Sequence, residues 1–349
     1  MSNILITVPN LSTLGGVSNL WNSLFLAFKE IKNIEFNILE IGGHGKNPIG
    51  VIKDQWRFHK SLKSDIDLAF LNPSLIIKSF FRDGLFAKQL IKNRTPFVVF
   101  FHGWEQEFEQ KIDTKYKEFF LNSFAHAKKI FVLSFEFKEK ILEWGYQGEV
   151  IVETTAVDIS LINNFSLQKK EDREIKILFI SRIIREKGIF ELVEAFEKIN
   201  KKVKNSELII AGDGKDFEEL KEVVSLKKGI RLIGYVEGKE KIKLFEESHL
   251  FCLPSYTEGL PVALLEAMLF GLPIVTTKVG GLKQFFRDGE MGYMIEPKSI
   301  REIEEKIELM LSSPERMREM SLFNYKYAQN YLTNSVVAQR LYKHLREIV

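Results

Sequence analysis

Residues 250–277 read Leu250-Phe251-Cys252-Leu253-Pro254-Ser255-Tyr256-Thr257-Glu258-Gly259-Leu260-Pro261-Val262-Ala263-Leu264-Leu265-Glu266-Ala267-Met268-Leu269-Phe270-Gly271-Leu272-Pro273-Ile274-Val275-Thr276-Thr277. The apolar run at 250–253 has the length and composition of a buried parallel strand, and it stops at a loop. Gly259 and Pro261 then open a helix, since proline near the first turn forfeits no hydrogen bond. Leu264, Leu265 and Met268 recur at helical spacing, Gly271 with Pro273 closes the segment, and Ile274 begins the next strand. Strand, loop, helix, strand is a βαβ unit, and sheets built from such units take ligands at the carboxyl ends of their strands.

Two carboxylates stand eight residues apart in this unit, Glu258 in the loop and Glu266 over a turn into the helix. The helix start between them offers unpaired N–H groups and a positive dipole end, a seat for phosphate. An anionic ligand there would have a carboxylate on either side, each able to accept from hydroxyl groups. A diphosphate flanked by two hydroxyl-bearing rings fits that layout, and nucleotide sugars have this shape. The alternative is a solvated loop carboxylate and an exposed helix glutamate.

The run E-G-L-P-V-A-L-L-E-A-M-x-x-G-L-P-I-V resembles the E-x7-E signature of family 4 retaining glycosyltransferases (glycosyl transferases group 1), and the resemblance extends through most of the second half. It implies the α/β GT-B fold: two Rossmann-like doubly wound domains facing a central cleft, with a C-terminal helix crossing back to the first. It also implies that Glu258 contacts the donor sugar, that Glu266 contacts the nucleotide ribose, and that Gly259, Leu260 and Pro261 belong to the donor-binding loop.

At 349 residues and 45% apolar composition the chain can bury two cores. Fifty basic against forty-seven acidic residues leave +3, too even for a nucleic-acid footprint. The one cysteine, Cys252, lies in an apolar strand, so no disulfide forms within the chain. Residues 1–8 read as a first strand and lack the basic region of a signal peptide, and no apolar run reaches bilayer length. The simplest expectation is a cytoplasmic protein, with the inner face of a membrane kept open.

In the first half, Ile4–Val8 leads to Gly15-Gly16-Val17, and Leu20, Leu24 and Phe28 predict a helix from about Val17 to Ile31. A Gly-Gly pair lets backbone approach a ligand; a merely permissive turn is the other reading, and the resemblance places Gly15 and Gly16 near the donor. Further strands are expected at 35–41, 68–71, 130–134 and 150–152, and at Pro96–Phe101, which ends in His102-Gly103-Trp104. A histidine at a strand's carboxyl end faces the ligand crevice, and the resemblance makes His102 catalytic rather than structural. Trp104 either stacks on a sugar or packs in the core, and Glu105, Glu107 and Glu109 form an acceptor rim or a solvated loop. In Leu75–Arg94 apolar residues interleave with Lys78, Arg82, Lys88, Lys92 and Arg94 against Asp83 alone. This is either an ordinary packed helix or a basic amphipathic helix on an anionic membrane surface.

The polar stretch before Ile175 reads as a linker, dividing the chain into an acceptor domain 1–160, a linker 161–174, a donor domain 175–328 and a crossover helix in 329–349. Strand 175–180 ends in Ser181-Arg182-Ile183-Ile184-Arg185-Glu186-Lys187-Gly188, where Arg182 and Lys187 can converge on one diphosphate. The run resembles the family's G-R-x5-K-G-like segment, with Ser181 in place of the usual glycine. Arg185 is a further candidate cation. The resemblance puts the nucleobase against backbone near Tyr235 and Val236, with UDP the commoner base and GDP open. Val279-Gly280-Gly281-Leu282 is another glycine loop, followed by Lys283-Gln284 where the family often has Pro-Glu.

The expected activity is retaining transfer of a sugar from a nucleotide-sugar donor to a saccharide or lipid-linked acceptor. The expected catalytic groups are His102, Arg182, Lys187 and Glu258, without a metal or other cofactor, because two cations stand where a metal would serve. A nicotinamide dehydrogenase lacks its complete G-x-G-x-x-G here. A non-catalytic scaffold subunit of a polysaccharide assembly complex is the alternative.

Overall fold

A computed structural model describes residues 2–13, 15–43, 48–167 and 174–349, with Pro48 and Gln284 described by backbone alone. The contacts divide the chain into two units, Met1–Ala156 with Asn334–Val349, and Val157–Thr333. Of the stretch read as a linker, Phe165 packs on Phe270 at 5.0 Å within the second unit, and residues 168–173 lie outside the described residues.

The first unit carries β1 (Ser2–Pro9), β2 (Ile34–Ile41), β3 (Leu68–Leu71), β4 (Phe97–Phe100), β5 (Lys129–Val132) and β6 (Glu149–Val152). They pair in parallel in the order β2-β1-β3-β4-β5-β6, so the chain reverses its direction of travel between β1 and β3. Every residue of β3 and β4 is buried, which is why both read as short continuous apolar runs. The helices that concern the site are α1 (Gly16–Phe28), α2 (Pro48–Ser61) and α3 (Ile77–Asn93). α1 stops at Phe28, three residues short of Ile31, and Asn33 at φ 78 then turns the chain into β2.

The second unit carries β7 (Ile175–Ile180), β8 (Ser206–Ala211), β9 (Ile230–Gly234), β10 (Leu250–Leu253), β11 (Ile274–Thr277) and β12 (Gly292–Ile295). The order is β12-β11-β10-β7-β8-β9, all parallel, with the reversal between β7 and β10. The edge strand β12 carries no clear signal in the sequence, being four residues long and begun by a glycine at φ +145. Its helices include α4 (Ile189–Lys202), α5 (Gly238–Glu247), α6 (Val262–Leu269) and α7 (Pro314–Tyr331). Asn324 of α7 donates from Nδ2 to the carbonyls of Leu272 and Met291, both at 2.8 Å, tying α7 to the segments around β11.

The run 329–349, read as holding one crossover helix, is cut at Leu332-Thr333, and α8 (Asn334–Arg346) packs in the first unit. There Arg340 forks onto the buried carboxylate of Glu153, and Lys129 pairs with Glu149 at 2.9 Å and with Glu347.

Candidate active site

Open parallel sheets bind ligands where the strand order reverses, beyond the strands' carboxyl ends. In the second unit that point lies between β7 and β10, and the loops leaving these strands touch. The amide of Tyr256 donates to the carbonyl of Glu186 at 2.8 Å. Gly188 sits at φ +70, and a Cβ there would lie 2.0 Å from the carbonyl oxygen of Pro254. Only glycine allows that approach, and its effect is to bring Lys187 to Glu258. The Lys187 ammonium pairs with Glu258 Oε1, and Ser255 Oγ donates to the same oxygen at 2.7 Å. The two charged side chains are 12% and 9% exposed. A third loop closes on the pair from β11: a Cβ on Gly280, at φ +49, would sit 1.7 Å from the Glu258 carbonyl oxygen.

α6 is buried all round from Leu264 to Leu269, and Glu266 is the one charge in that run. Lys241, reaching across from α5, meets Glu266 Oε1 at 2.6 Å. The other oxygen, Oε2, is buried with no hydrogen-bond partner. Burial holds this carboxyl above the usual carboxylate range, Lys241 pulls it back, and Asp158 adds to the rise. A buried acceptor left unmade costs free energy, and a ligand hydroxyl would satisfy it. The first residues of the segment, Gly259 and Pro261 to Ala263, are only partly buried, so the helix start faces outward while Glu266 lies behind it.

Arg182 is exposed and within electrostatic reach of Glu186. Arg185 is turned elsewhere: its guanidinium pairs with Glu219 and covers the Phe190 ring at 4.3 Å. Tyr235, half exposed, donates from its hydroxyl to Glu237 at 3.1 Å, and Val236 beside it is buried, both just past the end of β9. Tyr256 donates to Glu191 at 2.5 Å, and burial with that partner pushes its phenol up to about 12.

In the first unit, Gly15, Gly16 and Asn72 line a cavity of about 440 Å³ at the reversal between β1 and β3. Asn72 Nδ2 donates to the Thr7 carbonyl at 2.9 Å, which turns Oδ1 toward Trp21 Nε1 at 3.0 Å and His102 Nε2 at 2.8 Å. An indole nitrogen only donates, so the shared atom is an acceptor and His102 donates from Nε2. Burial lowers the His102 pKa to about 3, so the ring is neutral and Nδ1 is its acceptor. Trp104 packs partly buried against the core, stacked on Phe137 at 4.1 Å with its Nε1 bonded to Glu109 at 2.5 Å. That removes Trp104 as a free stacking platform and Glu109 from the solvated set, while Glu105 and Glu107 are exposed.

Sequence reading missed two residues of the cluster around Glu258 and Glu266. Ser255, three positions before Glu258, is a hydroxyl at a strand's end and could have been found from its place. Lys241 stands 25 residues before Glu266, on a lysine-rich helix where nothing marks it from its neighbours.

Residues 162–327 match the family described as glycosyl transferases group 1. The second unit is a glycosyl transferases group 1 domain. An uncharacterized glycosyltransferase of Haemophilus influenzae is 29% identical over 52% of this chain and 51% of its own length. The UDP-N-acetylglucosamine–peptide N-acetylglucosaminyltransferase GtfA subunit of Streptococcus gordonii is 27% identical over 66% of this chain and 48% of its own. The chain thus spans about half the length of these curated relatives. The Anabaena HepE structure in complex with UDP-glucose superimposes at a TM-score of 0.75 and 15% identity, covering 99% of this chain and 100% of that one. The fold of the whole chain is GT-B. The matched residues include Arg182, Lys187, Lys241, Ser255, Glu258 and Glu266, so the whole cluster falls inside the matched region.

Proposed function

We propose that the chain is a retaining glycosyltransferase that moves a hexose or N-acetylhexosamine from a nucleotide-diphosphate donor, a UDP-sugar, to a saccharide or lipid-linked saccharide in surface polysaccharide assembly. The observation that carries this reading is the unpaired, buried Oε2 of Glu266 on the helix whose entry loop holds Glu258 against Lys187. A ribose hydroxyl would complete Glu266. The diphosphate would take the charge of Lys187 and of the exposed Arg182, and the sugar hydroxyls would bond to Glu258. The UDP in the names of the relative and the solved neighbour supports the choice of base.

In the reaction the bond from the sugar's anomeric carbon to the β-phosphate oxygen breaks, and the acceptor oxygen bonds to that carbon on the same face. The acceptor proton passes to the leaving phosphate. Charge grows on the nucleoside diphosphate as it leaves, and fixed cations stabilise it most where water is excluded. Two cations at the diphosphate make a divalent metal unnecessary in this reading.

A panel of nucleotide sugars, incubated with the chain and chelator and followed by NMR, tests the reading. Consumption of one UDP-sugar with retained anomeric configuration is expected. Inversion, or no consumption of any donor, would overturn it.

A further inference from the structure

One cation of α3 turns inward. The Arg82 side chain is 16% exposed, and Nη2 donates to Asp83 Oδ2 at 2.7 Å and to Ser79 Oγ at 3.3 Å. Ser79 donates to the same carboxylate oxygen at 2.9 Å, so the guanidinium is held in place before any ligand arrives. Among the described residues only Nη2 of its three nitrogens is hydrogen-bonded, and Nε is buried without a partner. Nη1 reaches the backbone of Gly42, where a Cβ, at φ +83, would lie 3.0 Å from it. A guanidinium carries five donors in a fixed fork, and the fold leaves most of them unused.

Arg82 and Gly42 belong to the wall of the first unit's cavity of about 440 Å³, a size suited to a small ligand. The cavity lies at the reversal between β1 and β3, so α1 and α3, which follow those strands, both start on it. Gly16 and Ser18 line it from α1, and Lys78 and Ser79 from α3. Neither helix has a side-chain cap or an acid in its first turn. Two positive dipole ends therefore add to the charges of Lys78 and Arg82. Among the described lining residues the one acid is Asp54, which is 1% exposed. It accepts from the Gly42 amide at 2.9 Å, and its other oxygen lies 4.0 Å from Arg57 Nη1. The open part of the wall is thus electropositive.

We propose that this cavity binds an acidic group, a phosphate or a carboxylate, carried by the saccharide acceptor. The spare nitrogens of Arg82 would fork onto its oxygens, and Lys78 would add a point charge. Val17, Val51 and Ile76, also on the wall, offer an apolar side for the sugar ring. A neutral sugar would satisfy the same cavity less well, because it brings no charge to the guanidinium. The inference rests on the transferase reading, in which Arg182, Lys187, Glu258 and Glu266 of the second unit hold the donor. That leaves the first unit's cavity to the other reactant.

Saturation-transfer NMR of the full chain, with and without saturating UDP, reads the binding of glucose 6-phosphate, glucuronate and glucose. At least one acidic sugar is expected to bind about tenfold or more tighter than glucose, with UDP present, and to weaken in high salt. Which of the two binds better tells phosphate from carboxylate. Lys78→Gln, at an exposed position, should melt like the parent and bind UDP equally, yet lose most of the preference for the acidic sugar. Arg82→Lys keeps the charge and removes the fork, and should lower the preference as well. Equal binding of the three sugars, binding that UDP abolishes, or an unchanged preference in both variants would each overturn the proposal. Failure of UDP itself to bind would instead count against the transferase reading, and the sugar comparison without UDP would still decide whether this cavity takes an acidic group.

Discussion

Lys187 and Glu258, 71 residues apart in sequence, form an ion pair across the reversal of the second sheet. Both side chains are nearly buried, and a pair of this kind stands or falls by its remaining hydrogen bonds. Ser255 supplies one of them. Without a donor the two charges neutralise each other. In the proposed reaction a diphosphate claims the lysine, and the carboxylate is released to the sugar.

Glu258→Gln keeps the size of the side chain and an acceptor for Ser255 but removes the charge. Turnover should fall about 100-fold or more, while circular dichroism stays native and the melting point drops by only a few degrees. Steady-state kinetics checks it, and turnover within twofold of the parent would remove Glu258 from the chemistry.

Glu266→Gln should trade function for stability. Because burial raises the Glu266 pKa above 4.5, the native state holds its proton more tightly than the unfolded chain does. Stability is therefore lost as pH rises above 4.5 through the folded value. The glutamine variant escapes that loss: it should be more stable than the parent at pH 7, and the difference should fade as pH falls toward 4.5. Donor affinity should fall about tenfold or more with the ribose partner weakened. Denaturant titrations at pH 4.5 and 7 with calorimetry of UDP binding check both halves.

Gly280→Ala should disturb the site from behind. The added methyl would lie 1.7 Å from the Glu258 carbonyl oxygen, and the backbone holds φ +49. A loss of about 2–4 kcal/mol is expected, with reduced donor binding, measured by denaturation and calorimetry. A neutral outcome would show that the Glu258 loop is free to shift.

The βαβ unit around Glu258 was legible because a fully buried strand and helix leave continuous apolar runs, and Gly259 and Pro261 mark the turn between them. The two carboxylates were legible by their spacing. Their partners were not equally so: Lys241 reaches Glu266 through tertiary packing of α5, which no local pattern encodes. α2 escaped notice for the opposite reason, since its apolar stripe at 49, 52 and 56 faces outward and its buried face is built on Asp54 and Phe58. β12 was too short to stand out. Trp104 had two readings, and the stack with Phe137 chose between them.

His102 should remain neutral throughout the working range. With its pKa lowered from 6.5 to about 3, the native state binds fewer protons than the unfolded chain between those values. Its contribution to stability is complete above pH 6.5 and is lost as pH falls toward 3. His102→Gln should flatten the acid limb of the stability profile, and the parent's pH–rate curve should show no inflection from this ring near 6.5. NMR of the imidazole should show the Nε2–H tautomer at pH 6, and a titration near 6.5 would contradict the assignment.

The most direct measurement is calorimetric binding of UDP and UMP to the parent chain and to Lys187→Ala. The account predicts that UDP binds about tenfold or more tighter than UMP to the parent, that the substitution narrows this gap while Arg182 keeps part of it, and that UMP itself is unaffected. Equal affinity for the two nucleotides, or equal weakening of both by the substitution, would contradict the claim that Lys187 grips a diphosphate at the reversal of the second sheet.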